Sequence, residues 1–164
     1  MPFEIPEDLH PDCMPIAWLL GTWHGNGQGD YPTIEKFSFR QEIAVAHDGR
    51  PFLHYFSRTW VTDDDGNTLR PGALETGFLR PRPEGELELV LTHPTGFAEI
   101  WYGEVDGAKI ELTTDMVART QSAKEYTAGH RMYGLVEGDL LWAFDMAAMG
   151  QPLQSHLWGR LKRA

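Results

Sequence analysis

The feature that most constrains this fold is a run of glycines at alternate positions, within the segment GTWHGNGQGDYPTI at residues 21–34. Alternate residues of a β-strand share one face, so Gly25, Gly27 and Gly29 leave that face without side chains. A bare backbone allows another strand, a tryptophan ring or a flat ligand to approach closely. The segment therefore predicts a strand whose glycine face is covered by something bulky.

The same glycines do not form a nucleotide-binding loop. A dinucleotide fingerprint needs a helix directly after its glycines, because the helix N-terminus binds the phosphate. Here Tyr31 and Pro32 follow instead, and Pro32 favours an extended conformation for Tyr31. The run also contains no lysine. We therefore expect no nucleotide at this segment.

Short stretches rich in β-branched and aromatic residues alternate with turn sequences along the whole chain. Apolar residues recur at every second position in segments 37–45, 52–61 and 86–91, which is the period of a strand. The spacing of the turns predicts about ten strands, and closure into an antiparallel barrel would remove the exposed edges of an open sheet. We predict one all-β domain over residues 1–164, with a short helical turn within residues 9–20. A barrel of this width is expected to enclose a ligand cavity.

The carboxy-terminal segment fits two secondary structures. Leu153, Leu157 and Leu161 recur at helical spacing, but they also alternate with Ser155 and Gly159 at the period of a strand. Glycine weakens a helix by about 1 kcal/mol relative to alanine. A closing strand is favoured, with a helix as the alternative.

Charge and cysteine content narrow the class of partner. Among 164 residues, 24 acidic side chains outweigh 14 lysines and arginines, which gives a formal net charge of -10. A field of this sign repels nucleic acid phosphates and anionic lipids. Cys13 is the single cysteine, so no internal disulfide is expected. The amino terminus lacks the basic region of a signal peptide. We expect a cytoplasmic protein with neither nucleic acid nor a membrane as partner.

The histidines supply one candidate metal ligand. None of the seven has the spacing of a zinc site. His156 lies in the last apolar segment, where a buried imidazole needs a partner, so it is either a metal ligand or a hydrogen-bonded core residue. His47 and His93 border turns and are interpreted as surface residues. Ser155 and His156 are adjacent, so they would point to opposite faces of a strand and cannot form a nucleophile–base pair.

The glycine segment resembles the signature of the nitrobindin family, GxWxGxGxGxYP. All of its specified positions are filled, by Gly21, Trp23, Gly25, Gly27, Gly29, Tyr31 and Pro32. The resemblance continues in order through residues 75–80, 92–96, 123–125 and 146–157. It implies an antiparallel β-barrel of about ten strands, similar to fatty-acid-binding proteins and lipocalins. It also implies one haem b per chain.

Site residues and activity follow from this resemblance alone. It makes His156 the axial ligand of the haem iron and Thr33 a haem contact. Met146 matches a position near the haem in some members, with a gap-filling core methionine as the alternative. The resemblance implies a ferric haem that converts peroxynitrite to nitrate and binds nitric oxide. It assigns catalysis to the iron and to no side chain.

One departure from the family concerns the side of the haem opposite the axial ligand. Some relatives carry a histidine shortly before the segment that matches Glu75, whereas this chain has Gly72, Ala73 and Leu74 there. The sequence therefore favours an iron that is open, or capped by water, on that side.

Two other functions stay open at this point. The same barrel could be a non-catalytic haem sensor or carrier of nitric oxide. It could also bind lipid without haem, with Arg40, Arg58 or Arg131 pointing inward to hold a carboxylate. A homodimer is compatible with the isomerase, with the nitric oxide sensor or carrier, and with the lipid-binding barrel.

Overall fold

The computed structural model describes residues 2–164, which form a closed antiparallel barrel of ten strands. A 3-10 helix (Pro11–Leu19) precedes the barrel, and a second short one (Pro83–Gly85) joins two strands. The strands are β1 (Gly21–Tyr31), β2 (Ile34–Ala46), β3 (Leu53–Thr62), β4 (Thr68–Pro81), β5 (Glu86–His93), β6 (Phe97–Asp106), β7 (Lys109–Arg119), β8 (Tyr126–Val136), β9 (Asp139–Ala148) and β10 (Gln154–Arg163). The predicted all-β barrel with a short amino-terminal helical turn is confirmed.

Each strand pairs with its neighbours in sequence, and β1 pairs with β10 to close the ring. Gly27 lies opposite Gly159 in this closing pair, so neither strand contributes a side chain at this position. The carboxy-terminal segment is therefore a strand, as the alternation of Ser155 and Gly159 favoured. Closure satisfies the edge hydrogen bonds that an open sheet would expose.

The two ends of the barrel differ. At one end the 3-10 helix Pro11–Leu19 closes the opening, where Leu19 lies beside the inward residues Leu79 and Ile110. The indole N–H of Trp23 donates to the carbonyl of Leu19 at 2.9 Å and fixes the helix to β1. The other end, which we call the open end, carries the loops at residues 32–33, 63–67, 94–96, 120–125 and 149–153. No helix within residues 2–164 has the length and hydrophobicity to cross a bilayer.

The middle of the barrel is filled by its own side chains. Trp23, Trp101 and Arg131 are among the largest fully buried residues. The cavity beside Leu19 in the interior measures about 10 Å³, roughly the smallest space that holds one water. Aromatic rings and a buried ion pair occupy this part of the barrel, so the ligand cavity expected from the sequence does not lie here.

The glycine face of β1 is covered by the protein itself. A Cβ at Gly25 would lie 2.6 Å from the Cα of Leu161, so β10 approaches too closely for any side chain. A Cβ at Gly27 would lie 2.6 Å from the ring of Phe39. The sequence left open a strand, a tryptophan ring or a flat ligand as the group that covers this face. The neighbouring strand covers Gly25. The rings of Phe39 and Phe37 lie against Gly27 and Gly29, in place of a tryptophan or a flat ligand.

Candidate functional site

His156 lies at a β-bulge near the open end. Ser155 pairs with Asp145 and Leu157 pairs with Phe144, so His156 is an extra residue between two consecutive pairs of β10 and β9. A bulge of this kind changes the direction in which a side chain points. His156 accordingly contacts the inward rings of Tyr31 and Phe144, with ring centroids 5.3 and 5.9 Å away.

A single hydrogen bond fixes the orientation of the His156 ring. Its Nδ1 lies 3.1 Å from the backbone carbonyl oxygen of Asp30 on β1. A carbonyl only accepts, so Nδ1 carries the ring proton and Nε2 keeps its lone pair. Nε2 makes no hydrogen bond to any residue between 2 and 164. Burial lowers the pKa of His156, and the bond to Asp30 opposes this effect only in part. The ring is therefore a neutral imidazole with one nitrogen available for a ligand.

The hydroxyl of Tyr31 links the strands on either side of His156. Its hydroxyl donates to the backbone carbonyl of Met146 at 2.9 Å and accepts from the backbone N–H of Ala148 at 3.0 Å. These bonds tie the end of β1 to the end of β9, on either side of β10. The tyrosine of the YP pair thus holds the two strands that flank His156.

The structure gives the other two expected site residues different positions. Met146 is half-buried on β9 and packs against the core, at the same end as His156. Thr33 is exposed in the two-residue turn between β1 and β2, also at the open end. The three residues therefore share one end of the barrel, but Thr33 makes no side-chain hydrogen bond within the described chain.

Apolar side chains surround the open end. We call them the rim, and all of them are half-buried and packed against the core: Phe37, Phe97, Val117, Met146 and Leu157. Deeper inward residues on the same strands, such as Phe39 and Leu112, are fully buried. The rim is thus a hydrophobic surface that the protein leaves partly open to solvent.

The structure contradicts the interpretation of His93 as a surface residue. Its side chain is 16% exposed and points inward at the end of β5 that lies at the open end, where Nε2 is hydrogen-bonded to Oε1 of Glu99. His47, also interpreted as exposed, has a side chain that is 14% exposed and accepts from the N–H of Gly49 in its turn. A turn nearby in sequence gives no information about which face of the strand a residue takes. The alternation of Leu87, Leu89 and Leu91 could have placed His93 on the buried face.

His93 belongs to a group of buried polar residues that we call the interior cluster. Its members are Glu75, His93, Glu99, Tyr126 and Arg131. The two guanidinium nitrogens of Arg131 each donate to one oxygen of Glu75 at 2.7 Å. Burial alone would raise the pKa of Glu75, but the charge of Arg131 holds that pKa below its ordinary value. The pair is therefore ionised on both sides.

The arginines considered for a lipid carboxylate are all engaged. Arg131 points inward but is bound to Glu75, as described. Arg40 lies on the outer face, donates to Thr68 and stacks over Trp60, and Arg58 pairs with Glu42 at 3.3 Å. The barrel therefore offers none of these three guanidinium groups to a fatty acid.

Neither a cavity of about 950 Å³ nor a multi-ligand metal cluster coincides with His156 in the described part of the chain. The cavity measures about 950 Å³ and is lined in part by outward side chains, among them Met132, Leu141 and Trp158. In the part of the chain that the structure describes, no group of three or more His, Cys, Asp or Glu side chains could hold a metal ion. A metal at His156 would therefore have fewer than three such protein ligands, which is compatible with an iron held mainly by a macrocycle.

Comparison with known proteins gives a consistent result. A family described as "THAP4-like, heme-binding beta-barrel domain" matches residues 12–163. A protein of Nocardioides sp. named "Peroxynitrite isomerase" is 67% identical over 163 residues, with 99% of each chain covered. A "Ferric nitrobindin-like protein" of Cutibacterium acnes is 48% identical over the full length of both chains. The crystal structure of Rv2717c from M. tuberculosis matches with a TM-score of 0.86 and 41% identity, covering 95% of this chain and 99% of that one. The resemblance drawn from the glycine segment is confirmed.

Proposed function

Because this chain belongs to the THAP4-like, haem-binding β-barrel family, we propose that it binds haem b at the open end and converts peroxynitrite to nitrate. The observation that carries the proposal is the free Nε2 of His156, on a neutral ring that Asp30 holds in place. The 67% identical relative named peroxynitrite isomerase supports the reaction.

The residues at the open end fit a haem. A neutral imidazole with an open nitrogen is the usual axial ligand of a haem iron, and a hydrogen bond from its other nitrogen fixes its tautomer. The rim supplies apolar surface for the porphyrin faces, while the loops at this end leave an edge accessible to solvent. Met146 and Thr33 are proposed haem contacts, supported by their place at the same end as His156.

A bound haem would supply the ferric iron chemistry that converts peroxynitrite to nitrate. The protein has three tasks around it. His156 would hold the cofactor; its bond to Asp30 keeps the ring proton on Nδ1, and burial keeps the ring neutral. Tyr31 keeps the strands on either side of His156 together. The rim would keep bulk water away from the substrate.

Stopped-flow mixing of the haem-loaded ferric protein with peroxynitrite tests this function. We expect accelerated decay, a raised yield of nitrate and reduced nitration of added free tyrosine. The His156→Ala protein with the same total haem should show none of these three effects beyond that of free haem. Decay no faster than without protein, or undiminished tyrosine nitration, would refute the isomerase function.

We propose nitric oxide as a second small ligand of the same iron, since an iron with one protein ligand leaves a position for it. Turnover separates an enzyme from a nitric oxide sensor or carrier, because only the enzyme raises nitrate yield. A cytoplasmic location is likewise a proposal, supported by the buried free thiol of Cys13. The homodimer stays a prediction that analytical ultracentrifugation tests.

A further inference from the structure

Three aromatic side chains converge on Gly129, the fourth residue of β8. A Cβ at this position would lie 2.6 Å from Cη2 of Trp101, 2.7 Å from Cε2 of Phe144 and 2.7 Å from the hydroxyl oxygen of Tyr126. Gly129 does not have a positive φ, so its backbone conformation does not require glycine. It is space that excludes a side chain here, because the three aromatic side chains pack directly against the Cα.

The backbone of Gly129 is held from both neighbouring strands. On one side it pairs with Met146 of β9. On the other side, the pairing of β7 with β8 ends at Thr113 and His130. The hydroxyl of Thr114 continues this link, since it accepts from the N–H of Gly129 at 3.0 Å and donates to its carbonyl at 3.4 Å. A side chain added at Gly129 could therefore not be accommodated by a shift of β8 without breaking these bonds.

Of the three aromatic side chains, that of Phe144 is the least restrained. Trp101 is fully buried and is one of the largest side chains in the core. Tyr126 is tethered, because its hydroxyl donates to Oε2 of Glu99 at 2.5 Å. Phe144 has no polar atom that could tether it, and it pairs with the half-buried Leu157 of the rim. Pressure from a side chain at Gly129 would therefore displace Phe144.

Phe144 lies on the strand between Gly129 and His156, since β9 separates β8 from β10. The ring centroids of Phe144 and His156 are 5.9 Å apart, with their planes inclined at 65°. Displacement of Phe144 away from β8 therefore carries its ring towards the imidazole. His156 is oriented by its hydrogen bond to the carbonyl of Asp30, so contact pressure from Phe144 would tilt its ring.

We propose that Gly129 is a positioning residue of the haem site. Because Gly129 has no side chain, the ring of Phe144 packs against β8 and leaves the imidazole of His156 in the orientation that binds iron. This inference rests on the proposed function. Gly129 acts only through Phe144, as a residue that supports a metal ligand from behind. Loss of such support typically lowers metal affinity by about 10–100-fold.

Titration with haemin distinguishes positioning from a general loss of stability. Gly103 of β6 is the matched control: its φ is not positive either, and a Cβ there would collide with the carbonyl oxygen of Glu111. The rings that contact His156 are those of Tyr31 and Phe144, so Gly103 has no such link to the site. We expect Gly129→Ala and Gly103→Ala both to unfold at lower urea concentration. Only Gly129→Ala should bind haem more weakly, by at least about tenfold.

Two outcomes of this titration would overturn the proposal. One is a haem affinity in Gly129→Ala equal to that of the wild type. The other is an equal loss of affinity in Gly129→Ala and Gly103→Ala, which would mean that lower stability alone explains it.

A second substitution tests whether the effect passes through Phe144. Phe144→Leu removes the ring that the new Cβ would displace. In the Gly129→Ala background it should raise haem affinity above that of Gly129→Ala alone, although it removes apolar contacts from the core. A double variant that binds haem no more tightly than Gly129→Ala would overturn the role of Phe144 and with it the proposal.

NMR of the haem-free protein gives a test that needs no variant to fold. In the wild type, nuclear Overhauser effects should join the Phe144 ring protons both to the α-protons of Gly129 and to the ring protons of His156. The chemical shifts of the His156 ring protons should change in Gly129→Ala and stay unchanged in Gly103→Ala. Absence of either set of Overhauser effects, or unchanged His156 shifts in Gly129→Ala, would overturn the proposal.

The wild-type protein separates failure of this inference from failure of the function. A wild type that binds no haem, or that does not accelerate peroxynitrite isomerisation, refutes the proposed function. A wild type that binds haem and is active, beside a Gly129→Ala protein of equal haem affinity, refutes only the role of Gly129.

Discussion

Nδ1 of His156 and the backbone carbonyl of Asp30 are hydrogen-bonded at 3.1 Å across the two strands that close the barrel. The acceptor is a main-chain group, so its position depends on the path of β1 and not on the side chain of Asp30. The donor is the extra residue of a bulge in β10. Closure of the barrel therefore also orients the imidazole, because pairing of β1 with β10 brings the two atoms together.

Replacement of His156 by alanine should abolish tight haem binding while the barrel stays folded. The side chain is half-buried at an open rim, so its loss removes an iron ligand without emptying the core. We expect the Soret band of a stoichiometric mixture with haemin to be lost, with haem affinity reduced by at least about 100-fold. Far-ultraviolet circular dichroism should match that of the wild type.

His130→Ala is the control for this experiment, because His130 is equally close to the open end but lies on the outer face. It should titrate with haemin as the wild type does. Full haem affinity in His156→Ala would remove His156 as the ligand, and equal losses in both variants would indicate a general effect on folding.

The glycine run should tolerate alanine poorly where a strand covers it. A Cβ at Gly25 would meet backbone atoms of Arg160 and Leu161, which cannot move without separating β1 from β10. We expect Gly25→Ala to lower the free energy of unfolding by at least about 2 kcal/mol, measured by urea denaturation. Gly134 in β8 has only ordinary contact for a Cβ, 3.7 Å from the carbonyl of Ala108. Gly134→Ala should be neutral or stabilising by up to about 1 kcal/mol. Equal effects at the two sites would contradict the close approach of β10.

Local patterns in the sequence predicted the strands because side-chain alternation is a local property. The alternation in residues 37–45 places Phe39, Gln41 and Ile43 on the inner face, and all three are buried. The same reasoning applied to residues 87–91 extends to His93, which was instead interpreted from its neighbouring turn. The error came from giving a loop boundary more weight than the face of the strand.

Relationships between distant strands could not be predicted in this way. The ring contact between Tyr31 and His156 depends on β1 and β10, which lie far apart in sequence, pairing to close the barrel, and no local pattern contains this. The filled interior depends likewise on Arg131 and Glu75, from strands far apart in sequence, meeting with Trp101 and Phe144 around them. The resemblance identified His156, but its hydrogen bond to Asp30 follows only from the pairing of β1 with β10.

Loss of one partner of the buried ion pair should be strongly destabilising. Arg131 is 2% exposed, and Arg131→Met would leave the buried Glu75 without the guanidinium that pairs with it. We expect the free energy of unfolding to fall by about 3–5 kcal/mol. The double variant with Glu75→Gln should recover part of this loss, since it removes the unpaired charge, and a double-mutant cycle in urea would measure the coupling.

Arg58 and Glu42 provide the comparison for this cycle, as an ion pair on the outer face at 3.3 Å. Exposed pairs of this kind contribute at most about 1 kcal/mol. If Arg131→Met costs no more than Arg58→Met, then Glu75 is not held as a buried carboxylate.

The haem-free protein should lose stability in acid through His156. Burial places the folded-state pKa of this imidazole below its ordinary value of about 6.5. The unfolded chain therefore binds a proton at a pH where the folded protein does not, so acid favours unfolding. The penalty is absent above the unfolded pKa, grows as pH falls below it, and becomes constant once the folded ring is also protonated. In urea titrations from pH of about 7.5 to about 5, the free energy of unfolding of wild type should fall relative to His156→Gln, which has no such proton. Parallel curves for the two proteins would show that the ring is equally basic in both states, and that it is not held neutral for a metal.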